Sequence, residues 1–188
     1  MKKITIAVTA GIALTLFTGC ANKSTSGVET ATAPTKISYN YTTQVPLWVY
    51  HPQVGNSLAA VGIAPKVLFK DFQETAAFED GRRKLRDVVM NQLKALFYRI
   101  APLTAIQGQE EAQIADKIAA YASALAVQNA KKVAEWTDPL GYLYMLVTVN
   151  KDDVKNALAV SFEKQQALWK KLFPTKHSFK EVAALLGF

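Results

Sequence analysis

The chain has 188 residues, half of them apolar, with a single cysteine and a formal charge of +7 from 22 basic and 15 acidic side chains. That length suits one domain with a real hydrophobic core once the ends are set aside, and the lone cysteine excludes an intrachain disulfide, so packing must supply the stability. A pI near 9.4 invites a nucleic-acid reading, but the amino terminus points elsewhere.

Met1, Lys2 and Lys3 form a short positive head, and Ile4 to Phe17 follow as an uncharged apolar run of 14 residues. This is the length of a signal-peptide core; a bilayer-spanning helix needs roughly 20 apolar residues. Next comes Leu16-Phe17-Thr18-Gly19-Cys20, which resembles the bacterial lipobox, with Phe17 where that pattern prefers Leu. The resemblance implies that residues 1–19 are a lipoprotein signal peptide, that the Cys20 thiol takes a diacylglyceryl group, and that the new amino terminus is acylated. The alternative is an ordinary cleaved signal peptide with Cys20 a free thiol. Each buried methylene contributes about 0.8 kcal/mol, and two acyl chains anchor stably where one does not, so a lipidated chain is expected to be membrane-bound. Ala21, in place of Asp, implies sorting to the outer membrane of a double-membraned bacterium. Loss of Lys2 and Lys3 lowers the charge from +7 to +5 (7 − 2). An exported chain does not meet cytoplasmic nucleic acid, so anionic headgroups or cell-wall polymers are the expected counter-charges.

Residues 20–44 are expected to be a lipidated flexible tether. Ala21 to Asn40 is rich in Ser, Thr, Ala, Gly and Asn and offers too little apolar surface to offset the entropy of ordering. A coil of about 24 residues spans roughly 25–30 Å.

An α+β domain is predicted over 45–150, followed by a helical extension over 151–188. Gln44 to Tyr50 should approach in extended form at Pro46, with Trp48 docking on the core. Ser57 to Ala64 predicts a short apolar strand closed by Pro65. Asp71 to Ile100 predicts a long helix with Phe78, Leu85, Val89, Leu93, Leu96 and Ile100 on one face. Gly81 lies inside that stripe and marks either close packing against a sheet or a kink. Gln109 to Leu125 offers a second helix, with Ile114, Ile118, Tyr121 and Leu125 as its stripe. Lys132–Trp136 and Tyr142–Val149 predict a hairpin around Asp138-Pro139-Leu140-Gly141, the residues a type I turn prefers. The return strand is apolar on both sides, as a central or doubly covered strand would be. Asn150, with Asp153, caps a long helix carrying Val154, Leu158, Phe162, Gln165, Trp169 and Leu172 up to Pro174; Ser178 with Glu181 caps a terminal helix closing near Gly187. The fold expected is a small antiparallel sheet of about three strands packed against a long helix, with additional C-terminal helices.

Pro46-x-Trp48, Val61-Gly62-Ile63-Ala64, Gly81-Arg82-Arg83-x-Leu85 and Trp136-x-Asp138-x-x-Gly141-x-x-Tyr144-x-Leu146 resemble the LPP-twenty family of bacterial membrane-associated lipoproteins, over about Pro46 to Val149. The resemblance implies a small sheet with a packed helix and a structural or assembly role in the envelope, not an activity. The tail beyond Asn150 is a departure from that core and leaves the choice of partner open.

No catalytic residue, cofactor or metal site is expected. His51 and His177 lack zinc spacing, and the chain has no nucleophile elbow, Walker loop or dinucleotide glycine triplet. The acidic pairs Glu79-Asp80, Glu110-Glu111 and Asp152-Asp153 read as helix-start and solvated carboxylates rather than dyads. Arg82, Arg83, Lys84 and Arg86 form either an anion-contacting cluster, for a lipid phosphate or wall carboxylate, or the wet side of the core helix. Phe162, Trp169, Lys170 and Lys171 form either a partner-binding stripe or a face packed on the sheet. The function expected is a non-enzymatic outer-membrane lipoprotein that binds another envelope protein or a copy of itself. A scaffold or activator of a flagellar or wall-building machine is the more specific version, and a wall-acting enzyme the rival.

Overall fold

The computed structural model describes residues 44–100 and 108–188; the expected signal peptide, Cys20 and nearly all of the expected tether lie outside the described residues. A one-turn helix α1 (Leu47–Tyr50) leads into strand β1 (Leu58–Ala64) and the long helix α2 (Lys70–Ile100). Helix α3 (Gln109–Ala126) and a single 3-10 turn precede the hairpin β2 (Lys131–Thr137) and β3 (Leu143–Val149). Helices α4 (Lys151–Lys164), α5 (Gln166–Leu172) and α6 (Phe179–Leu186) close the chain.

The three strands form one antiparallel sheet in the order β1-β3-β2. The two-sided apolar strand β3 is central, paired with β1 from Leu58↔Val149 to Ala64↔Leu143 and with β2 across the hairpin. The hairpin follows from its four turn residues. Asp138 Oδ1 accepts the backbone N–H groups of Leu140 and Tyr142 at 2.9 and 2.8 Å, and Gly141 takes a left-handed φ of 88°. A type I turn followed by such a residue is a common three-residue hairpin loop.

Helix α2 lies on β1 and β3 and is the main core element. Its buried positions are Gln73, Ala77, Gly81, Leu85, Val89, Leu93, Phe97 and Ile100, a nearly strict four-residue interval. That stripe differs from the expected one at two points, where Phe78 and Leu96 only flank the core while Ala77 and Phe97 are buried. The four-residue interval tracks one slowly winding row of the helix, and the row starts on small side chains that sequence hydrophobicity weights lightly.

The reason for those small residues is Gly81. A Cβ on Gly62 would fall inside the Ala77 carbonyl oxygen and Gly81 nitrogen and stand 2.8 Å from Gly81 Cα. A Cβ on Gly81 would stand 2.6 Å from Val147 Cγ2. Helix and strand backbones touch here, so Gly81 marks close packing and not a kink.

Two expectations are corrected and one is refined. The chain approaches in extended form at Pro46 (φ −56°, ψ 139°) and then turns once over Leu47–Tyr50, with Val49 N–H donating to Pro46 O at 3.0 Å. Pro46, whose missing N–H costs nothing at a helix start, serves as its N-cap. The α3 stripe is alanine-based, with Ala115, Ala119, Ala122 and Ala126 fully buried beside Ile114 and Ile118; Tyr121 faces solvent. The long helix expected up to Pro174 is two, broken at Gln165 (φ −123°, ψ 35°). The expected caps are present: Asn150 accepts from Asp153 N–H at 2.6 Å and Ser178 from Glu181 N–H at 3.4 Å.

Residues 151–188 are not an appendage. Val154, Leu158, Trp169, Leu172, Phe173, Val182 and Leu186 belong to the same buried cluster as Leu85, Phe97 and Met145. Among the described residues no helix is long and apolar enough to cross a membrane.

Candidate functional site

Gly81 presses α2 onto the sheet, and residues on either side of it stand at the edge of β1. Because β1 is an outer strand, Val61 and Ile63 have backbone groups without a strand partner. Side chains of α2 take one group of each. Ile63 N–H donates to Asp80 Oδ2 at 3.0 Å, and Lys84 Nζ donates to Val61 O at 3.2 Å. Asp80 also holds Lys84 at 2.6 Å and Arg83. Burial by itself raises the Asp80 pKa, but the Lys84 ammonium, the Arg83 guanidinium and the Ile63 N–H together outweigh it and hold the carboxyl below its ordinary value of 3.8.

Two members of the arginine and lysine cluster are therefore structural ties. Arg83 is spent on Asp80 and Lys84 on the strand edge, while Arg82 pairs with Glu79 at 2.8 Å along the helix. Arg86 enters none of the ion pairs among the described residues. Together Arg82, Arg83 and Arg86, with the one carboxylate Glu79, line an open groove of about 420 Å³ whose far wall is Ala124, Val127 and Gln128, at the end of α3 and in the 3-10 turn after it. From Glu79 to Arg86 the helix carries four cations and two carboxylates, an excess of +2. Such a groove can hold a carboxylate or phosphate through guanidinium donors, and it is the candidate ligand-contacting surface of the domain.

The second expected contact surface divides. Trp169 is 1% exposed, its ring stacked on Phe173 at 5.8 Å and edge-on to Phe97 at 5.9 Å. Its Nε1–H donates to Ser161 Oγ at 3.2 Å, and Ser161 in turn donates to Gln165 Oε1 at 3.0 Å. Trp169 is thus a core anchor and not a partner contact, and its neighbours are helices rather than the sheet. Lys170 and Lys171 are exposed. Lys171 bridges α5 to α3 through Glu110 at 2.8 Å, which raises the lysine pKa and lowers that of the glutamate.

The residues on which the LPP-twenty resemblance was expected occupy structural positions. Gly62 and Gly81 form the helix–sheet contact, and Asp138 and Gly141 form the hairpin loop. Trp136 and Tyr144 pair across β2 and β3 with ring centroids 5.1 Å apart, and burial raises the Tyr144 pKa, aided by the charge of Asp138. Trp48 is half-buried in α1 beside its cap Pro46. No three His, Cys, Asp or Glu side chains among the described residues are grouped as a metal site would require. Sequence reading missed Gln73, whose Nε2 donates to Gly141 O at 2.8 Å and Ala64 O at 3.4 Å. The available signal was a polar residue four positions ahead of Ala77 on the buried row.

The chain matches no family model, no curated protein and no solved structure.

Proposed function

We propose that the protein is a non-enzymatic lipoprotein of the outer membrane, related to the LPP-twenty type, that acts by holding a recognition domain beside the bilayer. The observation that carries this reading is the amino-terminal pattern, a positive head, an apolar run of 14 residues and Leu16-Phe17-Thr18-Gly19-Cys20, which suits diacylglyceryl transfer to the Cys20 thiol. The charged groove along Arg82 and Arg86 supports an interaction role, because an envelope protein with a clustered carboxylate surface fits its excess of positive charge. Docking a flagellar or wall-building machine is the same role with a named class of partner.

The test is metabolic labelling of the full chain with a tagged palmitate analogue in a double-membraned bacterium. The parent is expected to carry label and to sediment with the outer membrane, and Cys20→Ser to carry none. A processed chain with an unmodified thiol that is released into the aqueous fraction overturns the anchor. Crosslinking in cells from a probe at Gln128, on the far wall of the groove, should capture a protein partner, lost on Arg82→Glu/Arg86→Glu with lipidation unchanged; capture that persists in the double variant overturns the groove's role.

A further inference from the structure

The groove and the aromatic core leave one group of side chains unexplained. Leu68 is 89% exposed, Leu140 78%, Phe72 70% and Phe69 61%, with Val67 beside them also on the surface. Large apolar side chains this exposed mark an interaction surface when they cluster, and these cluster. Leu68 and Phe69 lie in the connection from β1 to α2, Phe72 is in the first turn of α2, and Leu140 is at the tip of the β2–β3 hairpin. Two ties hold the loops together at the same end of the sheet. Gln73, buried at the base, donates one amide group to the backbone of both, and the Lys66 side chain lies across Gly141 closely enough that a Cβ there would meet Lys66 Cδ at 2.7 Å. Phe69 and Phe72 meet edge to face at 5.9 Å.

We infer that this apolar end enters the boundary between headgroups and acyl chains of a lipid bilayer, an inference that rests on the lipid anchor proposed at Cys20. The length of chain leading to the domain supports that occupant. Between Cys20 and Gln44 lie 23 residues, which span at most about 80 Å when fully extended, so the domain never leaves the neighbourhood of the lipid surface. The shape of the end supports it too. The apolar groups sit on two adjacent protrusions, and a fluid interface can close around both where a rigid surface would need two matched pockets. The hairpin tip keeps its backbone N–H groups bonded, since the amides of Leu140 and Tyr142 donate to Asp138 Oδ1 and that of Gly141 to Asp138 O, and the Asp138 carboxylate confines the tip to the headgroup boundary. Charge does not do the work. Lys66 and Lys70 are outnumbered by Asp71, Glu74 and Asp138, with Lys70 paired to Glu74 at 3.2 Å, so no positive excess draws this end to an anionic lipid and apolar area drives the insertion.

The test uses the full chain, purified from membranes and reconstituted in phosphatidylcholine vesicles, with the photoreactive residue benzoylphenylalanine replacing Leu68, Phe72 or Leu140. Gln53, exposed at the opposite end of β1, serves as the reference position. After illumination, mass spectrometry is expected to show lipid adducts at the three apolar positions at least tenfold above Gln53, with yields unchanged at high salt. The Leu68→Asp/Leu140→Asp pair should reduce the Phe72 adduct at least tenfold while the chain stays with the vesicles through its own lipid. Lipid adducts no more frequent than at Gln53, yields that collapse in salt, or protein adducts at these positions in cells overturn the inference. The intact mass of the same sample separates the two readings. An acylated chain without adducts sinks the apolar end alone, whereas adducts on a chain with unmodified Cys20 sink the anchor alone.

Discussion

Gly62 and Gly81 let two backbones meet where any larger pair would hold them apart, and the two positions differ in what an added methyl would strike. At Gly62 the obstruction is backbone of α2, nearest at Ala77 O; at Gly81 it is chiefly one methyl of Val147 at 2.6 Å, a stiff side chain that must shift but does not break the helix. Gly62→Ala is expected to destabilise the domain by about 3 kcal/mol or more, at the upper end of overpacking costs. Gly81→Ala should cost distinctly less, because alanine recovers about 1 kcal/mol of helix propensity. Urea midpoints of the two variants check the order. Asp80 allows a second expectation. Its pKa is lower in the fold than the ordinary 3.8, so its contribution is complete above that value and is lost as pH falls through the folded value. Asp80→Asn should cost about 1–2 kcal/mol at neutral pH, and the gap to the parent should close in acid, as urea midpoints measured from pH 7 to pH 2 would show.

Helices and strands were largely legible because their determinants are local. Asp138, Pro139 and Gly141 specify the hairpin, Asn150 and Ser178 announce helix starts, and the unbroken apolar character of Leu143–Val149 implies a central strand. What escaped depends on contacts distant in sequence. The alanine face of α3 is buried because other helices approach it closely, which composition does not report, and the break at Gln165 is tied to Ser161 and Trp169 hydrogen-bonding within the core. The candidate site was half legible: the arginines were visible as a cluster, but which of them are tied down depends on Asp80 meeting the edge of β1, 17 residues away in sequence. The element-scale prediction concerns that break. Trp169→Ala should cost about 3–5 kcal/mol, and Trp169→Phe about 1 kcal/mol through the lost bond to Ser161. Denaturant unfolding followed by far-ultraviolet circular dichroism gives both values.

For the molecule as a whole, the boundary expected at residue 150 is not a boundary in packing. Trp169 meets Phe97 of α2, and Lys171 reaches Glu110 of α3, so the C-terminal helices complete a core that α2 and α3 leave open. A chain ending at Asn150 is therefore expected to lose cooperative thermal unfolding instead of retaining a smaller stable domain, a result that calorimetry would register as the absence of a heat-absorption peak. The side chains that occupy the outer backbone of β1 have a consequence for assembly. With Asp80 and Lys84 seated at Ile63 N–H and Val61 O, a neighbouring strand cannot reach those groups of β1, and among the described residues the β2 margin is the one left open. Two copies can join there as a closed pair, and lengthening that pair into a ribbon would require α2 to release its hold on β1.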